Sequence, residues 1–296
     1  VLTEVAATGR LDWRRFMVRR AFRLLPVLFL YLAALALLGF PWTGLWPVLL
    51  HLQNYSNAAP NHLWSLAVEE HFYLVAAFAL PWLARTDGVR RIVLALVVAI
   101  VAAGTLRIVA LHLGIAPRYA QWQTQFRIDA PAAGVLLAVA AVYRPRWLAA
   151  AGRFRAALIA AAVLGFACLA SDPGDAVRWG PGLSLAWIAA AALVVAASAA
   201  TPPAVLLAPA RALAGLGRIA YPLYIWHSSV GQAAAGLLAP LGIHSALAFV
   251  AVEIIASIAF AALIHRTIEK PMLSLRDQFP RRRRQEPDAS YARAAA

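Results

Sequence analysis

Eight long apolar segments constrain the fold of this chain more than any other feature of its sequence. A membrane-spanning helix needs about 20 mainly apolar residues, because each helical residue rises about 1.5 Å and the hydrocarbon core is about 30 Å thick. Apolar residues make up 62% of the chain and charged residues 14%, whereas soluble proteins contain about 45–50% and about 25%. We therefore predict an all-α fold, a polytopic transmembrane helix bundle of about eight spans. The predicted spans are 24–40, 66–84, 91–111, 127–143, 155–171, 183–200, 219–238 and 245–266.

Basic residues predict the orientation of these spans. When the spans are threaded alternately across a lipid bilayer, nearly all of the 27 Lys and Arg residues fall on one side. Because basic loops are retained in the cytoplasm, we predict that both termini are cytoplasmic. The net charge of +14 is explained in this way, and we expect no nucleic acid among the partners. The basic residues on or near the opposite side are Arg107, Arg118, Arg127 and Arg178.

Composition divides the chain into a membrane domain, residues 1–275, and a basic tail, residues 276–296. The tail contains four consecutive arginines at 281–284, and we predict that it is disordered and lies against anionic headgroups. The apolar stretch 45–52 is too short to cross a bilayer, which indicates an interfacial or re-entrant helix. Cys168 is the only cysteine, so no intramolecular disulfide can form.

The segment WSLAVEEHFY, residues 64–73, places polar side chains in the first turns of a predicted span. A charge at membrane depth costs a few kcal/mol unless it is paired or faces a water-filled cavity. The segment therefore predicts a polar site, with Glu69 as the main candidate and a structural ion pair to an arginine as the alternative. Trp64 fits an aromatic belt, and His71 fits an interfacial polar residue.

Two arginines and an aspartate lie on the same predicted side as Glu69. Arg127 and Asp129 are two residues apart, so each should pair with another helix more readily than with the other. We predict a buried network of Glu69, Arg107, Arg127 and Asp129. The spacing does not distinguish a structural network from one that binds a polar substrate.

A pair of arginines precedes the first predicted span. Arg20 and Arg23 are three positions apart, so they share a helix face. Guanidinium groups present fork-like donors that match phosphate oxygens. The pair predicts a phosphate-binding site, and a plain cytoplasmic anchor is the alternative.

The last two spans carry further ionisable residues. Tyr224 and His227 share a helix face, and His227 is an intramembrane ionisable group, either hydrogen-bonded in the packing or functional. Glu253 is predicted to pair with His227, and Glu269 with the basic segment near Arg20. No residues have metal-ligand spacing, so we expect no metal.

Five segments of the chain occur in the order and spacing of one known family. They are FMVRRAFRLLP, WSLAVEEHFYL, FRIDAPAAGVLLA, GRIAYPLYIWH and RTIEKP. Together they resemble acyltransferase family 3, ten-span bacterial membrane enzymes that acylate carbohydrates. A single segment is weak evidence, whereas five in order across nearly the whole chain are strong evidence.

The resemblance implies an O-acyltransferase of the bacterial cytoplasmic membrane. Such an enzyme moves an acyl group, typically acetyl, from acyl-CoA to a hydroxyl of a carbohydrate or glycosylated acceptor. Acyl-CoA is then a co-substrate, and no cofactor stays bound. Arg20 and Arg23 match the family's RxxR pair, which handles acyl-CoA. Glu69, with Trp64 and Ser65, matches its WSLxxE motif. Other matching positions are Arg127, Asp129, Tyr224, His227, Glu269 and Pro271.

One departure from the family bears on catalysis. Family members begin with two further spans, and the first carries a histidine taken to be the catalytic base. None of the seven histidines in this sequence matches that one. We therefore expect an N-terminally truncated form that is inactive alone. In the complete enzyme, Glu69 would orient the base or relay its proton.

Two other classes of function fit some of these features. A proton-coupled transporter or flippase of a polar substrate also uses intramembrane Glu, Arg and His. The sequence shows no inverted pair of broken apolar segments, which many carriers have. A structural membrane scaffold would leave the deep charges unexplained.

Overall fold

The computed structural model describes residues 12–56, 60–198, 207–238, 240, 242 and 245–278. Every regular element in these ranges is helical, which confirms the all-α prediction. Most of the predicted basic tail, from residue 279 onwards, lies outside the described residues, as do residues 1–11.

The described helices vary widely in length. Short 3₁₀ turns lie at Gln53–Tyr55, Asn61–Leu63 and Thr124–Phe126, and a π-helical turn lies at His265–Glu269. In chain order the α-helices are α1 (Trp13–Leu37), α2 (Trp42–Leu49), α3 (Trp64–Asp87), α4 (Val89–His112), α5 (Pro117–Trp122), α6 (Asp129–Tyr143), α7 (Pro145–Gly152), α8 (Arg155–Ala170), α9 (Asp175–Trp179), α10 (Pro181–Ser198), α11 (Leu207–Arg218), α12 (Ala220–Leu238), α13 (Ala246–Ile264) and α14 (Lys270–Gln278).

A helix lies at each of the eight predicted apolar segments. Among the described residues, four helices are long and apolar enough to cross a bilayer: α1, α4, α10 and the continuous helix Ala246–Arg276. A fifth crossing is present if α6 and α7 are counted as one bent span. The helix positions are thus confirmed, whereas the number of crossings and the side on which the termini lie stay predictions. The short apolar stretch 45–52 overlaps α2.

The chain turns sharply between α6 and α7. Proline lacks a backbone N–H and disfavours helical dihedral angles in the residue before it, so a helix begins at Pro145 but does not run through it. Arg144 accordingly has φ −139° and ψ 52°, outside the helical region. The two helices are bent by 108° with respect to each other, so α7 leaves the direction of α6.

The described chain forms two compact units. The first contains residues 12–13 and 46–198, and the second contains 14–45 and 207–278, with the gaps given above. In the first unit, α8 packs along α10 and α4 packs along α6. A hydrophobic core lies between α3, α4 and α6, and its buried residues are Phe72, Ile92, Leu96, Ala132 and Val139.

Two glycines of the first unit differ in the space around them. At Gly165, on α8, an added Cβ would lie 3.4 Å from the Cβ of Ala189. At Gly182, in the first turn of α10, it would lie 2.7 Å from the carbonyl oxygen of Val177 and 2.9 Å from Leu169 Cδ2. The backbone carbonyl cannot move aside as the end of a side chain can.

We expect Gly182→Ala to lower the free energy of unfolding by about 1–3 kcal/mol, because overpacking forces the backbone to shift. Gly165→Ala is the matched control, since it adds the same methyl group to a helix with ordinary contacts. Alanine favours a helix by about 1 kcal/mol over glycine, so the control should be neutral or slightly stabilising. Chemical unfolding in detergent micelles, followed by circular dichroism, measures both. Equal losses at the two positions would contradict the steric argument.

Aromatic side chains hold α1 against α12 and α13 in the second unit. The hydroxyl of Tyr31, on α1, lies 3.0 Å from that of Ser229, on α12. The ring of Tyr31 meets Trp226 edge-on, with centroids 5.0 Å apart. Trp226 in turn contacts Phe260 of α13 at 4.9 Å between centroids. These buried contacts fix the helix that carries Arg20 and Arg23.

Candidate functional site

A fully buried charge of the first unit is Arg107, which is 0% exposed on α4. Its Nε donates to the carbonyl oxygen of Gly180 at 3.0 Å, and its Nη1 donates to that of Phe126. Its Nη2 donates to Asp129 Oδ2 at 3.0 Å and to the hydroxyl of Ser184. Every nitrogen of this guanidinium therefore has a partner.

Asp129, the ion-pair partner of Arg107, is equally enclosed and is 0% exposed. Its Oδ2 also accepts from Trp187 Nε1 at 2.9 Å, and its Oδ1 accepts from the backbone N–H of Ala130 at 3.0 Å. A buried ion pair is tolerated only when its remaining hydrogen-bonding positions are filled. Every nitrogen of the guanidinium and both oxygens of the carboxylate thus have a protein partner, and these contacts tie together α4, α6 and α10.

Arg127 lies two residues from Asp129 and is held differently. Its guanidinium stacks over the Trp64 ring at 5.4 Å from the ring centre, and its side chain is half-buried. Its Nη1 is buried and has no hydrogen-bond partner among the residues that the structure describes. A buried donor left unsatisfied is costly, so Arg127 retains donor capacity that a ligand could use.

The predicted network of four charged residues is therefore only half formed. Arg107 and Asp129 pair, but Arg127 stacks on an aromatic ring, and Glu69 is not among the partners of the buried pair. Glu69 is exposed on α3. The helical period explains this outcome. His71 contacts Thr124, in the turn just before Arg127, and Glu69 lies about 200° around α3 from His71.

The side of α3 that carries His71 faces the Thr124–Phe126 turn. His71 Nδ1 lies 2.7 Å from the hydroxyl of Thr124, and the His71 ring stacks on Tyr55 at 6.2 Å between centroids. The Nδ2 of Asn54 donates to the same Thr124 hydroxyl at 2.8 Å. These contacts fix the turn that immediately precedes Arg127.

Sequence reasoning missed two residues of this cluster, Gln53 and Asn54, both almost fully buried. Gln53 Nε2 donates to the carbonyl oxygen of Leu63 at 3.0 Å, just before Trp64. The signal was available, because amide side chains in a short polar segment between apolar helices often satisfy loop backbone groups. Their partners could not be read from the sequence, since Asn54 and Thr124 are 70 residues apart.

In the second unit, the predicted phosphate-binding pair lies near the start of α1. Arg20 is half-buried and Arg23 is exposed, and their spacing places them on one face of the helix. Arg14, in the first turn of α1, is also exposed and lies about 180° around the helix from Arg23. The helix therefore presents a third arginine that points away from the pair.

The ionisable residues of α12 and α13 do not form the predicted ion pair. His227 Nδ1 donates to the carbonyl oxygen of Tyr224 at 2.8 Å, and the two rings are 6.1 Å apart. Glu253 is exposed and lies against Gly231, where an added Cβ would be 2.6 Å from Glu253 Oε1. Its predicted pairing with His227 is thus wrong, because the carboxylate lies one turn further along α12.

Glu269 is buried at the end of the π-helical turn. Its Oε2 lies 2.7 Å from Nδ1 of His265, four residues earlier. The sequence predicted that Glu269 pairs with the basic segment of α1. In the structure its partner is His265 instead. π-helical turns occur frequently at functional sites. Within the described ranges, no group of three His, Cys, Asp or Glu residues could hold a metal ion.

The family is decided by a comparison that spans most of the chain. A family model described as an acyltransferase domain matches residues 2–266. The chain belongs to acyltransferase family 3. No curated protein and no solved structure matches it.

As a member of acyltransferase family 3 with several apolar helices long enough to span a bilayer, the chain is a membrane protein of a transferase family. The matched range contains Arg20, Arg23 and the whole cluster around Arg127. It ends three residues before Glu269. The family match therefore covers the candidate residues of each unit except the carboxylate of the π-helical turn.

Proposed function

We propose that the protein is an integral-membrane O-acyltransferase that moves an acyl group from acyl-CoA to a hydroxyl of a carbohydrate or glycosylated acceptor. The observation that carries this proposal is the acyltransferase family match over residues 2–266. The simplest acyl group is acetyl. The bacterial cytoplasmic membrane is the proposed location.

The donor-binding part of the proposal rests on Arg20 and Arg23. Acyl-CoA carries phosphate groups, and two guanidinium forks on one helix face suit such a ligand. Arg23 is exposed and Arg20 half-buried, so the pair combines an accessible donor with one that is partly fixed.

The acceptor-binding part rests on Arg127 and Trp64. A sugar hydroxyl can accept a hydrogen bond from a guanidinium N–H, and Arg127 Nη1 has no protein acceptor among the described residues. The Arg127 guanidinium stacks on the Trp64 ring, 5.4 Å from the ring centre. This stacking limits the motion of the guanidinium. Arg107 cannot take this role, because its donors are already engaged.

The proposed reaction transfers the acyl group by attack of the acceptor oxygen on the thioester carbonyl. A base takes the hydroxyl proton, the new C–O bond forms, the C–S bond breaks, and the CoA sulfur leaves and is protonated. General-base assistance of this kind contributes about 10²–10⁴-fold. The family resemblance assigns the base to a histidine, and we assign to Glu69 the orientation of that base or the relay of its proton.

The proposal is tested with the native gene product in its own membranes. Labelled acetyl-CoA is supplied, and label is measured in the carbohydrate fraction with and without the protein. Protein-dependent labelling supports acyl transfer. Absence of labelling, together with protein-dependent uptake of a polar solute into sealed vesicles, would favour a transporter instead.

We expect Arg127→Met to lower kcat/KM for the endogenous acceptor by about 10- to 100-fold, because a hydrogen bond from a charged group contributes about 1.5–3 kcal/mol. The KM for acyl-CoA should not change. Arg118→Met is the matched control, since Arg118 is an exposed arginine whose Nη2 donates to Tyr119. Equal losses from both substitutions would remove Arg127 from the acceptor site.

A further inference from the structure

The short helix α7 has features of a helix that lies at the membrane surface. It follows the apolar helix α6 after a 108° bend, so it does not extend that helix further along its axis. Trp147 on α7 is 71% exposed, and Phe154 just after it is 69% exposed. Exposed aromatic rings at the end of an apolar helix are typical of the boundary between lipid tails and headgroups.

The sequence around α7 carries positive charges and no neighbouring acidic residues. Four exposed arginines lie just before, within or just after the helix. No Asp or Glu occurs between residues 130 and 171, and the carboxylate of Asp129 is engaged by Arg107. The four arginines are Arg144, Arg146, Arg153 and Arg155.

A half-open cavity of about 430 Å³ lies beside α7. Its lining is mainly small and apolar, including Leu148 and Ala149, and its polar groups include Arg153 and Ser198. A cavity of this size is too small for a whole phospholipid but is in the range of small-molecule sites. It can take a headgroup and the adjoining glycerol, while the acyl chains remain in the lipid.

We propose that α7 and this cavity form a binding site for the headgroup of an anionic phospholipid. Arg153 contacts the phosphate at the cavity, and Trp147 lies against the lipid at the interface. Ser198 Oγ donates to the carbonyl oxygen of Val195 and is left to accept from a headgroup hydroxyl. The other three arginines raise the local concentration of anionic lipid. Basic pockets beside membrane helices bind anionic headgroups for this electrostatic reason. The site is independent of the proposed acyl transfer.

The charge and the interfacial position favour a lipid over a soluble anion. A soluble phosphate would gain nothing from the exposed Trp147 and Phe154, whereas both rings can insert among lipid chains. The arginine bias predicts that this end of α6 faces the cytoplasm, where the leaflet is negatively charged.

Lipid binding is measured on the purified full chain in non-ionic detergent, by native mass spectrometry during titration with phosphatidylglycerol or phosphatidylcholine. We expect phosphatidylglycerol to bind at least about fivefold more tightly, which corresponds to one arginine near a phosphate. Equal binding of the two lipids would overturn the proposal. This comparison needs no variant, so it stands even if a substitution impairs folding.

Three variants separate a built site from general surface attraction. Arg153→Gln should weaken phosphatidylglycerol binding about fivefold, and Ala149→Phe should weaken it similarly by filling the cavity without changing charge. Arg118→Gln removes one exposed positive charge elsewhere and should have no effect. If Ala149→Phe leaves binding intact, or if CoA displaces the lipid, the assignment of the cavity to a lipid headgroup is wrong.

Discussion

Replacing Asp129 by asparagine is expected to lower the free energy of unfolding by about 3–5 kcal/mol, because it leaves the buried Arg107 without its counter-charge. The substitution keeps the size and shape of the side chain, so the loss does not arise from a cavity. The buried cation still has the carbonyl oxygens of Gly180 and Phe126 as acceptors, but neutral acceptors do not balance its charge. Chemical unfolding in detergent micelles measures the effect.

Two controls test whether the cause is the unpaired charge. Arg118→Gln removes an exposed arginine and should change the free energy of unfolding by less than about 0.5 kcal/mol. The double substitution Arg107→Met with Asp129→Leu removes both charges, and replacing a buried ion pair by apolar residues is often neutral. We therefore expect the double variant to be more stable than Asp129→Asn. A double variant that is less stable than the single one would mean that hydrogen bonds, rather than charge, dominate.

The second large effect is expected on the binding of the acyl donor. Arg20→Ala and Arg23→Ala should each raise the KM for acyl-CoA by about 10- to 100-fold, since each removes a charge-assisted hydrogen bond of about 1.5–3 kcal/mol. If the lost contact is made equally in the ground state and the transition state, kcat stays nearly constant. Initial rates of acyl transfer at varied acyl-CoA concentration, in membranes with the native gene product, give both constants.

Arg14→Ala is the control for the donor site, because it removes the same charge from the same helix. Arg14 is exposed and lies about 180° around α1 from Arg23 and about 120° from Arg20, so it should not share the phosphate contacts. We expect its KM for acyl-CoA to rise less than twofold in this case, a change of about 0.4 kcal/mol. If all three alanine variants raise the KM alike, the arginines act as a general positive surface. The donor-site assignment would then fail, whereas the anchor interpretation would hold.

Arg107 and Arg127 are similar residues with different surroundings. Both are arginines near the ends of apolar segments, and the sequence placed them in one network. Arg107 is reached by Gly180 and Ser184, more than 70 residues away in the chain, and these partners complete its coordination. Arg127 stacks on the Trp64 ring, and its buried Nη1 has no acceptor within the described part of the chain. Whether all the nitrogens of a guanidinium find hydrogen-bond partners therefore depends on residues that are distant in the chain.

The apolar segments and the family motifs were readable from the sequence alone. Hydrophobicity and proline position act locally, so helices formed at all eight predicted segments, and the chain broke at Arg144–Pro145 as proline requires. The size of the bend between α6 and α7 was not readable, because it depends on packing against other helices.

By itself, the sequence determined an all-α membrane protein of acyltransferase family 3 and named the charged residues that are candidates for its site. Only the tertiary structure decided which of those charges meet. It joined Arg107 to Asp129, left Glu69 exposed on α3, paired Glu269 with His265, and built the cluster of Asn54, His71 and Thr124. The physical reason is that burial and hydrophobic period are properties of a local segment, whereas a side chain's hydrogen-bond partners come from segments that only folding brings together.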